Sequence, residues 1–430
     1  MIRIINGLTQ IDQLEKILTR TQLESKEVLQ RVDEILEDVR LRGDAAVLEY
    51  SRKYDGHELT CLKVTEAEIA EAKANLDPAL KEAIVNAIAN ITRFHEQQID
   101  PGFTLEEREG IMLGQLVSPI GRVGIYVPGG TASYPSTVMM NVIPANLAGV
   151  PEIVIVTPAG KDGRIKDSVL VAADLLGVTE IHKIGGAQAV GALCYGTASL
   201  PRVDKIVGPG NLYVAMAKRK VSGLVGIDMI AGPSEVVIVA DGGANPRFIA
   251  ADLIAQAEHD ERAAGIVVTD SLDLAHNIQG ELARQLATLQ RSKIAGKALD
   301  EYGAILIAKD LAEAFRIVNR LAPEHLEILT TDPLADYKRV QNAGAIFLGE
   351  YTPEPVGDYY AGPNHTLPTS RTARFSSALG VYDFCKRTSL LYYSKAALRK
   401  AAGDIMTLAE DEALTGHANS VRVRMEEIDV

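Results

Sequence analysis

From Gly121 onward the chain repeats one pattern: a short run rich in Val and Ile, a turn, and a stretch long enough for a helix before the next run. RVGIYV, EIVIVT, EIHKIG and DKIVG form a first group, and EVVIVAD, GIVVTD, AILIA, HLEIL and AIFLG a second. Such runs bounded by turn residues read as strands, and connections of crossover length join parallel neighbours. Strands that are apolar along their whole length, rather than at alternate residues, need cover on both faces. The pattern therefore predicts an α/β chain with two Rossmann-like units in tandem, each a parallel sheet between helices.

The flanking segments read differently. Before Gly121, Asp12 to Thr19 reads as a short amphipathic helix, and Lys26 to Tyr54 as a longer one interrupted at Gly43. A third helix begins at Asp77, with Leu80, Ala83, Ile84, Ala87, Ile88 and Ile91 at helical spacing. His95 beside Phe94 reads as a packing or capping residue. From Tyr392 onward the strand signals stop, and SKAALRKAAGDIMTLAEDEAL reads as one or two amphipathic helices ending near Thr415 and Gly416. A segment with one apolar face and little core of its own is expected to pack on something else, a second subunit included.

At 430 residues the chain exceeds one ordinary core. A net charge of −13 with no basic patch excludes nucleic acid as the expected partner. The start alternates charged and apolar residues and no long apolar window occurs, so a cytoplasmic protein with no leader and no membrane span is expected. The 3 cysteines, Cys61, Cys194 and Cys385, lack CxxC spacing and read as reduced and structural. A nucleophilic role for Cys194 lacks the His or basic neighbour that would lower its pKa.

Three glycine-rich turns follow strands of the first group: VPGGTASYPS, IGGAQAVGA and GPGNLYVA. Any one of them can be a tight turn that needs positive φ. Three at equivalent strand ends favour a nucleotide or another anionic ligand lying across backbone amides, although none is a GxGxxG fingerprint. The second group carries the acids, bases and ligand types. In ADLIAQAEHD, Gln256 and His259 stand three apart on one helix face. In LAPEHLEIL, Glu324 and His325 are adjacent, so serving one site together requires a bend that Pro323 can supply. The rigid loop EPVGDYYAGPNHTLPTS holds Asp358 and His365, and EALTGHANS holds Glu412 and His417. Gln256, His259, Asp358 and His417 together form an N and O donor set with no thiolate, for which zinc is the first expectation and manganese or another first-row metal the second.

The motifs GIYVPGGTASYPSTVMMN, KIGGAQAVGAL, DKIVGPGN, IDMIAGPSEV, LIAQAEHD, LAPEHLEI, YTPEPVGDYYAGPNHTLPTS and LTGHANSVRVR are similar throughout to those of the histidinol dehydrogenase family. The resemblance implies a zinc enzyme that oxidises L-histidinol to L-histidine with two NAD+, as the last step of histidine biosynthesis. It implies zinc on Gln256, His259, Asp358 and His417, with His325 as general base and Glu324 as the group that activates water. Ser234, His365 and Glu412 would bind substrate together with the zinc ligands and His325, with Glu412 and His417 reaching in from the partner of a homodimer. Tyr126, Gln188 and Asn211 would hold NAD+.

The family also implies a domain plan: an N-terminal arm over residues 1–24, a first Rossmann-like domain from 25–121 with 235–378, an inserted second one at 122–234, and a C-terminal dimerisation segment at 379–430. On that plan the N-terminal helices pack with residues beyond 235. The alternative is a paralogous zinc- and NAD-dependent dehydrogenase of another polar alcohol, against which the intact Glu324, His325, His365 and Glu412 count.

Overall fold

A computed structural model describes residues 2–6, 14, 17, 26–56, 58–59, 61–129 and 133–428. Its strands are β1 (Arg3–Asn6), β2 (Phe103–Arg108), β3 (Ile111–Pro119), β4 (Arg122–Tyr126), β5 (Glu152–Thr157), β6 (Ile181–Lys183), β7 (Lys205–Val207), β8 (Gly226–Ile227), β9 (Glu235–Ala240), β10 (Ala264–Thr269), β11 (Ala304–Ile307), β12 (His325–Leu329), β13 (Ala345–Leu348) and β14 (Cys385–Tyr393). They form two parallel sheets and one antiparallel one. The larger parallel sheet runs β1-β11-β10-β9-β12-β13 and the smaller β6-β5-β4-β7-β8. Every residue of β9 and β10 is buried, as a sheet covered on both faces requires.

Each of the nine runs recognised in the sequence is one of these parallel strands, but other features escaped the pattern. Arg3–Asn6 pairs with β11 and adds an edge strand where only a helical arm was expected. Of the helix expected over Asp12–Thr19, all but Leu14 and Ile17 lies outside the described residues; these two are buried against the larger sheet. The antiparallel sheet β14-β3-β2 also escaped the pattern. Its β2 is exposed at every residue and β14 is mostly exposed, so no burial pattern marked them in the sequence.

The N-terminal helices pack mainly on the smaller sheet. Lys26–Arg42 and Asp44–Asp55 are separate helices broken at Gly43, whose φ of +56° suits glycine. An additional helix, Glu66–Asn75, starts at a capping box in which the Thr65 hydroxyl accepts from the Glu68 N–H and Glu68 accepts from the Thr65 N–H. Pro78–Glu96 follows its Asp77 cap. Val32, Leu36 and Val39 pack against Val190 and Leu193. Ile69, Ile84 and Ile91 join Val138 and Val142. These helices thus cover the smaller sheet, and Pro78–Glu96 also meets residues beyond 235, sharing its core with Leu379 and Phe384 and placing His95 Nε2 3.4 Å from the Asn364 amide. The physical reason is apolar area: the smaller sheet's own crossover helices leave part of it uncovered, and the amphipathic faces of Lys26–Arg42 and Pro78–Glu96 close it.

At the other end, Lys395–Asp411 and Thr415–Ile428 form a helical pair, so Thr415 begins a helix where one was expected to end. Among described side chains, Ala397 and Ala402 are the buried residues of the first and Ala418 of the second.

Strand order positions the cleft. In the smaller sheet the order reverses between β4 and β7, and in the larger between β9 and β12. Carboxyl ends at such reversals open a crevice where α/β sheets bind ligands. Here the segment 228–234 leads directly from β8 into β9. It brings the carboxyl edge of the smaller sheet against the amino edge of the larger one. Pro128 and Pro209–Asn211 from the first edge, and Ser234, Glu324 and His325 from the second, line one cleft of about 620 Å³.

Candidate active site

The helix Pro246–Ala257 begins at Asn245, whose side chain accepts from the Arg247 N–H, and continues with Pro246, which needs no donor in the first turn. Leu253, Ile254 and Ala257 face the core. The last turn therefore delivers Gln256, fully buried, to the cleft, and the chain beyond it brings exposed His259 to the same cleft.

Glu324 and His325 lie across from them at the start of β12. Both are buried and both line the cleft. They converge because each bonds to the same residue of the neighbouring strand: Glu324 Oε2 accepts from the Glu235 N–H at 2.9 Å, and His325 Nδ1 donates to the Glu235 carbonyl at 3.2 Å. Glu324 Oε2 and His325 Nδ1 are 3.7 Å apart. With Nδ1 engaged, His325 turns Nε2 toward Asp358 Oδ1 at 3.8 Å and Glu354 Oε1 at 3.9 Å. Nε2 is buried without a hydrogen-bond partner among the described residues. That is the geometry of an imidazole whose tautomer is set on one side and whose other nitrogen is free to move a proton.

The helix Glu354–Tyr359 supplies Asp358, and His365 Nδ1 donates to the Asp358 carbonyl at 3.0 Å. Burial pushes the Glu324 carboxyl up to about 8, with His325 opposing. Burial works against protonation of His325, yet the carboxylates of Glu354, Glu324 and Asp358 outweigh it and raise its pKa well above the usual value. Burial would raise Asp358 too, but the His325 imidazole holds it below the ordinary carboxylate range. His365 is lowered by burial.

A family model described as histidinol dehydrogenase matches residues 18–425. The chain belongs to the histidinol dehydrogenase family. A histidinol dehydrogenase of Caldanaerobacter subterraneus subsp. tengcongensis is 53% identical over 428 residues, covering 99% of each chain. One from Heliobacterium mobile is 51% identical, covering 99% of this chain and 100% of its own. The crystal structure of histidinol dehydrogenase from Elizabethkingia anophelis superposes with a TM-score of 0.95 at 34% identity, covering 100% of this chain and 99% of that one. Family membership makes the chain an oxidoreductase. No helix among the described residues is long and apolar enough to cross a membrane.

Of the residues the family resemblance singled out, Ser234, Gln256, His259, Glu324, His325, Asp358, His365 and Asn211 line the one cleft. Glu412 and His417 do not. They are exposed at the junction of the two C-terminal helices. Tyr126 and Gln188 are buried and absent from the cleft wall. Tyr126 ties the end of β4 to the helix Gly186–Tyr195 by accepting from the Gly186 N–H at 3.1 Å, and burial pushes its phenol up to about 12. Asn211 caps the helix Leu212–Val221, its side chain accepting from Tyr213 and Val214 N–H. Cys194 is buried, which raises its thiol and fits a structural residue. His95 is buried and bonds to the Ile91 carbonyl of its own helix, a packing role.

Sequence reasoning missed Glu354. It is buried, and burial pushes it up to about 7. The Gln256 amide nitrogen donates to both its oxygens, at 3.1 and 3.2 Å, in the orientation that leaves the amide oxygen free of those acceptors. His325, Glu354 and Asp358 form a group compact enough to hold a metal ion. Behind Glu354 stands Glu327, which accepts the Glu354 N–H at 3.1 Å and whose pKa burial raises well above its usual value. Two signals for these residues exist in the sequence: Glu354 and Asp358 are four apart on one helix, and Glu327 is a charge inside the apolar run HLEIL.

Proposed function

We propose that this chain oxidises L-histidinol to L-histidine, the last step of histidine biosynthesis, reducing two NAD+ with L-histidinal held between the two oxidations. The observation that carries the reading is the single cleft in which Glu324 and His325 face Gln256, His259 and Asp358 on one side and the GPGN turn on the other.

The donor types suit zinc: an amide oxygen, an imidazole and a carboxylate, with no thiolate, and a buried imidazole nitrogen without a partner beside them. Gln256, His259 and Asp358 would hold it, with His417 from the partner of a homodimer as the fourth. The exposed apolar residues Ile405, Leu408, Leu414 and Val423 on the C-terminal helices support such a partner. Zinc would supply a fixed positive charge that binds the substrate's nitrogen atoms and offsets the carboxylates around His325. NAD+, held at Asn211 near Tyr126 and Gln188, would supply the hydride acceptor.

The residues then divide the work. His325 Nε2 takes the hydroxyl proton as the carbinol carbon gives up hydride. Ser234, His365 and the partner's Glu412 hold the substrate in place. Glu324 takes a proton from water as its oxygen adds to the aldehyde carbon, and His325 returns the first proton to the former carbonyl oxygen. His325 takes the proton of the resulting hydrate as the second hydride leaves. We further propose a cytoplasmic homodimer, in which 122–234 forms one Rossmann-like domain, 235–378 the core of the other, and 379–430 the dimerisation segment.

The test is an NADH assay with histidinol, with and without a chelator. Two NADH per histidine, lost on zinc removal and restored by zinc, is the expected result. One NADH with release of free histidinal would overturn the two-step reading, and activity in fully zinc-free protein would overturn the role of the metal.

A further inference from the structure

A buried ion pair lies outside this chemistry. Lys218 stands in the last turn of the helix Leu212–Val221 with its side chain 2% exposed, and Asp228 follows β8 with its side chain 1% exposed. Burying two charges carries a desolvation cost that apolar residues of similar size avoid. What the pair does is therefore written in its hydrogen bonds. Lys218 Nζ donates to Asp228 Oδ1 and to the Gly208 carbonyl, the latter at 2.9 Å. Asp228 Oδ2 accepts from the Gly208 N–H at 2.7 Å, and Oδ1 accepts from the Met229 N–H at 2.6 Å.

Both backbone polar groups of Gly208 are thus gripped by one ion pair. Gly208 has φ +106°, and a Cβ there would come 2.2 Å from the Tyr126 carbonyl oxygen. The grip holds the turn flat against the end of β4 in a conformation reserved for glycine. Two strands of the cleft wall leave from this point. One is Pro209–Gly210–Asn211, running into the helix that carries Lys218; the other runs from Ile230 to Ser234 and then into Glu235, the residue that fixes Glu324 and His325.

We propose that Lys218 and Asp228 are positioning residues that lock the GPGN turn and the 228–234 segment into one wall, setting where the dinucleotide lies relative to Glu324 and His325. The proposal rests on the reading that this turn holds NAD+. Neither residue lines the cleft, and the pair acts through the peptide of Gly208. Its geometry is stiffer than a neutral contact because every bond in it is charge-assisted.

The test compares the wild-type dimer with two variants. Lys218→Met/Asp228→Leu removes both charges together, so neither is left buried alone. Asp228→Glu keeps the ion pair but lengthens the carboxylate by one methylene, so that it no longer meets the Gly208 and Met229 N–H groups together. For each, the KM for NAD+, the KM for histidinol, NAD+ binding by calorimetry, zinc content and Tm are measured. The expected result is a rise in NAD+ KM and Kd of about tenfold or more in both variants, with histidinol KM within about twofold of wild type and zinc content unchanged.

A merely structural role would lower Tm without separating the two KM values. If the double variant does not fold, Asp228→Glu decides alone. Folded Asp228→Glu with wild-type NAD+ KM and Kd overturns the proposal. A wild-type protein that binds no NAD+ overturns the underlying reading and this proposal with it, whereas a wild type that binds NAD+ beside unmoved variants overturns this proposal alone.

Discussion

On the proposed mechanism, replacing Glu324 with Gln should separate the two oxidations. The amide keeps the shape of the carboxyl, and its oxygen can still accept the Glu235 N–H that Glu324 Oε2 now accepts at 2.9 Å. Burial pushes the native carboxyl up to about 8. At about pH 7 roughly nine in ten of these groups are therefore already uncharged, and the neutral amide should change stability by no more than about 1 kcal/mol. The water-adding step is another matter, because an amide cannot take a proton. A positioned general base contributes about 10²–10⁴-fold, roughly 3–5 kcal/mol of barrier, and only the aldehyde half-reaction should lose it.

The same carboxyl predicts a pH profile. A raised acid gains its base form as pH rises, so the wild-type aldehyde half-reaction should climb about tenfold between about pH 7 and about pH 9, and the residual rate of the variant should not. Stopped-flow NADH formation from histidinol and from histidinal, supplied separately across that range, reads both halves. Equal losses in both, or a variant that keeps the rise, would show that Glu324 does not activate the water.

Three other outcomes follow from the same geometry. Co-expressed His325→Asn and His417→Asn chains, each inactive alone, should recover about one quarter of wild-type activity, because about half of the dimers are mixed and one of the two sites in each is intact; no recovery would place His417 in its own chain's site. His259→Asn should bind zinc about 10- to 100-fold more weakly in a chelator competition, and an unchanged zinc affinity would remove it from the ligand set. Ile238→Ala, fully buried at the centre of β9, should cost about 2–5 kcal/mol by cavity formation; a denaturation midpoint equal to wild type would mean the larger sheet is not packed as described.

The parallel sheets were legible in the sequence because buried parallel strands such as EVVIVA and AGIVVT are apolar at every residue. Exposed strands carry no such mark, which is why FTLEER and CKRTSLLYY passed unnoticed. Gln256 and His259 drew notice through helical spacing, although the helix ends at Ala257 and His259 lies on the chain just beyond it, and Glu324 with His325 drew notice through adjacency. Their convergence was not visible, since it depends on hydrogen bonds to Glu235 from a strand far away in sequence. Glu354 was hidden in a proline-rich loop, where Asp358 and His365 drew notice instead. Lys218 stands among three basic residues at a helix end, and nothing in the sequence marks it as buried while Arg219 and Lys220 beside it are exposed. The packing of the N-terminal helices on the smaller sheet was illegible for a similar reason: an amphipathic face states that a helix is covered, never by what.

The two bonds from Glu235 have a consequence for how this protein can fail. The residue that holds Glu324 by its N–H and His325 by its carbonyl belongs to the first position of β9, while His325 pairs in register with Val236. One peptide unit on either side of a single Cα thus gauges both groups. Should β12 seat one step out of line with β9, the two would be lost in the same event, and a misassembled molecule would be inert to alcohol and aldehyde alike. A damaged enzyme that stopped halfway would leak a reactive aldehyde. On the proposed mechanism, hanging both halves of the chemistry on one strand alignment would make faulty folding silent rather than toxic.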